Sequence, residues 1–136
     1  MSVRALGDAV MALFPDVPGV PTTEGRAETG TGAWIVVDQR LPHVSGRSEA
    51  GTALPHRCTV RVRLVHQDPD GCRALADIIG AALEGERPVA AGWQTSPLRQ
   101  FNEREPTPDD DGTDATTDQR FMIAFLEYAF TATRTS

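Results

Sequence analysis

Apolar residues recur at helical spacing in two segments of the chain. The first set stands three or four residues apart before Pro15 and consists of Val3, Leu6, Val10 and Leu13. The second follows Asp68 and Pro69, which suit the cap and first position of a helix, and consists of Leu75, Ile78, Ile79, Ala82 and Leu83. These patterns predict amphipathic helices over residues 3–14 and from Asp68 to Gly85.

Four further segments have the composition or alternation of strands. They cover residues 33–41, 58–66, 93–101 and 120–133. In the second of these, Thr59, Arg61 and Arg63 alternate with apolar residues, which predicts a half-buried strand. Pro97 favours an edge or bulged position for the third. The last is apolar on both faces, which is typical of a central strand covered by helices on one side and by something else on the other.

The predicted order α-β-β-α-β-β indicates an α+β fold with one mixed, mainly antiparallel sheet of about four strands and two helices on one face. A chain of 136 residues has the size of a single domain, here residues 1–136. Segments 15–32, 42–56 and 103–118 are predicted as long loops. The sheet face opposite the helices then needs cover, either from a neighbouring subunit or from a lid formed by the Pro- and Gly-rich loops.

Negative charge is concentrated in one segment. Residues 103–118 hold seven acids and one arginine, so they account for the whole formal net charge of −6. The neutral remainder argues against a nucleic-acid binder, which needs a basic face. The chain shows neither a secretory leader pattern nor a long apolar window, which predicts a soluble protein made in a cytoplasm, without a membrane partner.

The residues with potential chemistry do not form a recognisable site. The aspartates of segment 103–118 do not keep the ligand register of an EF-hand. Cys58 and His66 would lie about 26 Å apart along an extended strand, too far to share a zinc ion. No nucleophile elbow, phosphate loop or dinucleotide motif is present. We therefore expect no metal, cofactor or catalytic site, and reduced cysteines at 58 and 72.

Four sequence segments, in this order, resemble the tail terminator proteins of long-tailed bacteriophages, especially those that infect GC-rich actinobacterial hosts. They read HRCTVRVRLVH, DGCRALADIIGAALEG, RPVAAGWQTSPLR and, after the acidic stretch, RFMIAFLEYAFTA. The resemblance spans most of residues 56–134, with a weaker match at 3–14. It implies a structural virion protein, not an enzyme, that forms a hexameric ring on the finished tail tube, stops its polymerisation and joins the head.

The same resemblance implies the partners: other copies of the chain, the major tail tube protein and a head-closure or neck protein. Genome DNA would pass through the ring without specific binding. The subunit would occupy the host cytoplasm during assembly and the neck of the virion afterwards. The alternatives are another neck component, such as a head-closure or minor tail protein, and a small cytoplasmic binding module or enzyme with a formed pocket.

Two groups of residues are candidates for contacts in such an assembly. The interface candidates are arginines and aromatic residues of the predicted strands, namely Arg61, Arg63, Trp93, Arg99, Phe101 and Arg120. The second group consists of Asp109, Asp110, Asp111 and Asp114. Facing the bore of a ring, these carboxylates would repel DNA phosphates. Facing outward, they would dock on a basic surface of the tube or head protein.

Overall fold

The computed structural model describes residues 3–25, 32–41, 55–113 and 120–135, with the backbone alone over 109–113 and at Arg120. This part of the chain has an α+β fold with two helices and one mixed sheet. Its elements are α1 (Val3–Met11), β1 (Thr22–Glu24), β2 (Trp34–Arg40), β3 (His56–His66), α2 (Pro69–Leu83), β4 (Trp93–Thr95), β5 (Arg99–Thr113) and β6 (Arg120–Arg134). Neither described helix has the length and apolar character needed to cross a bilayer.

Strand β6 is an inner strand of the sheet and is paired along both edges. The strands lie in the order β1-β2-β3-β6-β4, and β5 also pairs with β6. β4 and β5 occupy successive parts of one edge of β6, while β3 pairs along its other edge from His56↔Ala132 to His66↔Met122. β1 runs parallel to β2, and the remaining pairs are antiparallel. The predicted central position of the last strand is therefore confirmed.

The described sheet has six strands rather than about four. The segment predicted as one strand over residues 93–101 is divided into β4 and β5. Between them, Ser96 donates its N–H to the carbonyl of Thr131 and accepts the N–H of Thr131 on its Oγ, at 2.9 and 2.8 Å. β1 lies in the expected loop 15–32. Three residues are too few to show the alternation that predicts a strand.

The expected loop over residues 103–118 is a strand for most of its length. β5 continues to Thr113 and pairs with β6 through three register shifts, the last two after Arg104 and Pro108. Such bulges break the two-residue period, and prolines weaken the strand pattern further, so the sequence conceals this strand. The rest of this expected loop, 114–118, lies outside the described residues, as do 26–31 and 42–54 of the other two.

The main core lies between the sheet and the two helices. Its strand side chains are the apolar ones of the predicted β3 face, Cys58, Val60, Val62 and Leu64, paired across the register with Phe130, Tyr128, Leu126 and Ala124. From the helices come Leu6, Val10, Cys72, Leu75, Ile79 and Leu83. Ile78, expected in the buried stripe, is 43% exposed because it lies about 100° around the helix from Ile79.

The start of α2 matches the sequence prediction and is tightly packed. Asp68 caps the helix by accepting the Asp70 N–H on Oδ1, and Pro69 is the first helical residue. The His66 ring accepts the Asp68 N–H on Nδ1 at 3.1 Å. This ring lies against Gly71, where an added Cβ atom would overlap it. Glycine is therefore required at this turn by space rather than by backbone conformation.

Substitution of two glycines in α2 tests this packing. Gly80→Ala should raise the free energy of unfolding by about 0.5–1 kcal/mol, because alanine favours helix and the added Cβ meets only the Tyr128 hydroxyl at 3.8 Å. Gly71→Ala should lower it, because the His66 ring must move and lose its hydrogen bond. Urea unfolding measures both, and equal gains would contradict the described contact.

Tyr128 is the one tyrosine of the chain and is fully buried beneath α2. Its hydroxyl has no hydrogen-bond partner among the described atoms. Burial raises the pKa of Tyr128 to about 12, with smaller contributions from the charges of Glu84 and Glu103. Because the folded pKa lies above the unfolded one, this group favours the folded state below about pH 10 and progressively loses that contribution as pH rises towards 12.

The ultraviolet absorbance of tyrosinate reports Tyr128 alone and checks this environment. We expect a midpoint near pH 12 in the folded chain and near pH 10 in urea. The Tyr128→Phe variant should be as stable as the parent at pH 7 or more stable by about 1 kcal/mol, since it removes an unpaired buried hydroxyl. A midpoint near 10 in the folded chain would show that the phenol is solvated.

Candidate functional site

The face of the sheet opposite the helices has an apolar end. Trp34, Val36, Val65 and Phe121 form a separate buried cluster there, each no more than 9% exposed. The Trp34 and Phe121 rings meet edge to face at 4.7 Å between centroids. Trp34 belongs to β2 and Phe121 to β6, so the two rings meet over the intervening β3 and cover Val65.

This cluster corrects the expectation of an uncovered apolar face. Among the described residues, the large apolar side chains that are clearly exposed are Ile78, Val89 and Phe101. Of these, only Phe101, at 49% exposure, belongs to the face opposite the helices, since Ile78 lies on α2 and Val89 in the loop after it. Aromatic rings of the sheet itself cover the apolar end of this face. The exposed part of the face is not mainly apolar.

Four arginines and two aromatic rings make up that exposed part, which we term the arginine face. It consists of Arg57, Arg61 and Arg63 on β3, Phe101 and Arg104 on β5, and Phe125 on β6. Arg61 lies over the Phe125 ring at 4.2 Å from its centroid, and Arg104 approaches the same ring at 5.7 Å. Arg57 lies over Phe101 at 5.0 Å. These are cation–π distances, so aromatic rings hold the guanidinium groups in place.

Only part of this positive charge is neutralised within the described residues. Arg63 forms a 3.8 Å ion pair with Asp38, whereas no described carboxylate lies within 4.0 Å of Arg57, Arg61 or Arg104. The Glu127 carboxylate accepts the Asn102 amide at 2.9 Å. A ring covers one side of a guanidinium and leaves its N–H edge able to bind carboxylate or phosphate oxygens.

Five acids follow one another along β5, and we term them the acidic edge. They are Glu103, Glu105, Asp109, Asp110 and Asp111, with Arg104 as the one basic residue among them. Glu105 is held towards α2 by Arg73, whose Nε lies 3.6 Å from the carboxylate. The three aspartates lie on the β5 backbone between Pro108↔Met122 and Thr113↔Arg120, past the last pair of β3.

The structure brings together three of the predicted interface residues. Arg61, Arg63 and Phe101 all belong to the arginine face. Arg99 lies apart from it, because its Nη1 is 3.7 Å from Glu84 at the end of α2. The backbone of Arg120 and of Asp109–Asp111 is described without side chains, and Asp114 lies outside the described residues.

The prediction that Trp93 is an interface residue is corrected by its burial. Its ring is 8% exposed and belongs to the main core, with the Arg134 guanidinium 5.2 Å from its centroid. A residue buried in its own subunit cannot anchor an interface by its ring. Arg57, Arg104 and Phe125 also belong to the arginine face but were not among the predicted interface residues. For Arg57, the alternation that singled out Arg61 and Arg63 was the available signal.

Two described cavities flank the sheet. One, of about 200 Å³, lies between α2 and β5 and has Cys72, Arg73 and Glu105 in its lining. The other, of about 290 Å³, lies at the end of α1 and is lined by Met11, Phe14 and other, mostly apolar residues. Burial raises the pKa of the Cys72 thiol to about 11, so the thiol is protonated at neutral pH. In the described chain no three His, Cys, Asp or Glu side chains converge as metal ligands would.

Comparisons with known proteins bear on the fold. No family model matches the chain, and no curated protein matches it significantly. Five chains of solved structures do match. One of them, whose name states no function, has a TM-score of 0.62 at 15% identity, over 95% of this chain and 88% of its own. At this identity the likeness supports the fold alone.

Truncation of two phenylalanines tests the division of this face into a closed and an open part. Phe121→Ala should lower the free energy of unfolding by about 3–4 kcal/mol, because it empties a buried site beside Trp34. Phe101→Ala should cost about 1 kcal/mol or less, since the ring is half exposed and loses mainly its contact with Arg57. Similar losses in urea unfolding would mean that the cluster around Trp34 is open.

Proposed function

We propose that this protein is a structural subunit of a long-tailed phage that closes into a ring on the head-proximal end of the tail tube. There it ends tube polymerisation and forms the surface to which the head attaches. The resemblance of residues 56–134 to tail terminators supports this proposal. The same resemblance implies that the proposed ring has six copies. The segments that carry the resemblance form the two inner strands β3 and β6, the short edge strand β4 and the longer helix α2.

The observation that carries the proposal is the presence of two unlike surfaces on one sheet. The arginine face presents guanidinium groups that are only partly neutralised, and the β5 strand carries the five acids of the acidic edge with Arg104 as their one basic neighbour. A ring requires each subunit to offer two different, complementary surfaces, so that every copy contacts the next in the same way. A chain with a single self-complementary patch would instead form a two-fold dimer.

Removal of the gene from a phage that encodes this chain tests the function. Without the subunit, tube subunits should keep adding, so electron microscopy should show overlong tails without heads. Supplying the parent chain from a plasmid should restore tails of normal length with heads attached. Tails of normal length in the deletion would contradict termination, and if they remained headless they would indicate a different neck component.

A further inference from the structure

The outer edge of β5 is built to prevent pairing with another strand. Its register with β6 shifts at three places, and Pro106 and Pro108 lack the N–H groups that a neighbouring strand would need. The acidic edge adds like charges that oppose a second strand of the same kind. These features disfavour the joining of two copies by extension of the sheet across β5 and favour a contact through side chains.

The arginine face has the complementary chemistry. Arg57, Arg61 and Arg104 are exposed, stacked on rings and without a described carboxylate partner. Stacking fixes their positions before any partner arrives, so little side-chain entropy is lost when a carboxylate binds. The net charge of −6 makes DNA a poor occupant of this face, because the molecule as a whole repels phosphates.

Arg61 and the three aspartates of the acidic edge cannot meet within one molecule. Arg61 stands opposite Glu127 on β6, whereas Asp109, Asp110 and Asp111 lie beyond Met122. Five residues of strand separate Glu127 from Met122, which corresponds to about 17 Å. This is longer than an arginine and an aspartate side chain can span together, so the aspartates can pair with Arg61 only from another copy.

We propose that the acidic edge of one copy docks on the arginine face of the next. The contact is head to tail, so each copy uses its face for one neighbour and its edge for the other. The inference rests on the proposed function, because a ring needs such a contact. It also assigns Asp109, Asp110 and Asp111 to a neighbouring subunit rather than to the bore of the ring or to the tube and head proteins.

Disulfide trapping tests this contact directly. The double variant Arg61→Cys, Asp110→Cys carries one new thiol on each surface, too far apart in one copy for a bond that needs Cα atoms within about 7 Å. The native Cys58 and Cys72 are buried and remain reduced. When the concentrated protein is incubated with oxidised glutathione, a ladder of covalent oligomers should appear on a non-reducing gel.

The matched control is Arg87→Cys, Asp110→Cys, because Arg87 is exposed in the loop between α2 and β4, away from the arginine face. We expect at least about tenfold less oligomer from this control, which corresponds to a contact preference of about 1.4 kcal/mol. Trapping accumulates even a short-lived contact. A double variant that gives no more oligomer than the control therefore overturns the proposal.

Charge reversal distinguishes recognition from chance collision. Adding Arg57→Glu to the trapping variant should lower the oligomer yield about tenfold, because like charges then face each other. Adding Asp111→Arg as well should restore the yield to within about twofold, because it returns opposite charges to the contact. An unchanged yield after Arg57→Glu would overturn the proposal. So would retardation of a short DNA duplex by the parent chain but not by the Arg57→Glu variant, since this would assign the face to nucleic acid.

The outcomes separate this contact from the proposed function. Overlong tails in the gene deletion, together with full rescue by the Arg57→Glu variant, would keep the terminator role and remove the contact. A trapped ladder, together with tails of normal length in the deletion, would keep the contact between copies and remove the terminator role.

Discussion

The pairing of β6 along both edges is the constraint on which the rest of the structure depends. A strand bonded on both sides can place its side chains only above and below the sheet, in strict alternation. In β6 one set, including Leu126 and Tyr128, enters the core beneath the helices, and the other, including Phe121 and Phe125, enters the opposite face. One sequence of 15 residues therefore determines both layers of the molecule.

The opposite face changes character along β6 because its neighbours change. Near Phe121 the adjacent side chains are Trp34 and Val65, and the rings close over the sheet. Four residues further, at Phe125, the adjacent side chains are arginines from β3 and β5. A single phenylalanine held between two guanidinium groups is half covered without a helix or lid. The aliphatic parts of the arginine side chains thus cover apolar surface, and their guanidinium groups cover the aromatic rings. The same groups still present hydrogen-bond donors to solvent.

The sequence predicted the elements whose period is undisturbed. The cap at Asp68, the stop at Gly85, the two faces of β3 and the central place of β6 are all local patterns that tertiary packing reinforced. β5 was missed because bulges and prolines interrupt its period, and β1 because parallel pairing with β2 gives no signal in three residues. For the site, alternation identified Arg61 and Arg63. The placement of Arg104 depends on a bulge, and the burial of Trp93 on its packing in the main core, and neither can be read from spacing.

The irregular backbone of β5 also bears on how the free chain behaves before it meets any partner. The β6 strand is long and apolar on both faces, and such a strand with an open edge would template fibre growth in a crowded cell. β5 occupies that edge along residues 120–129, and its own outer side is interrupted by proline and charge. β6 is therefore shielded along this edge from the strand-to-strand contacts by which fibres grow.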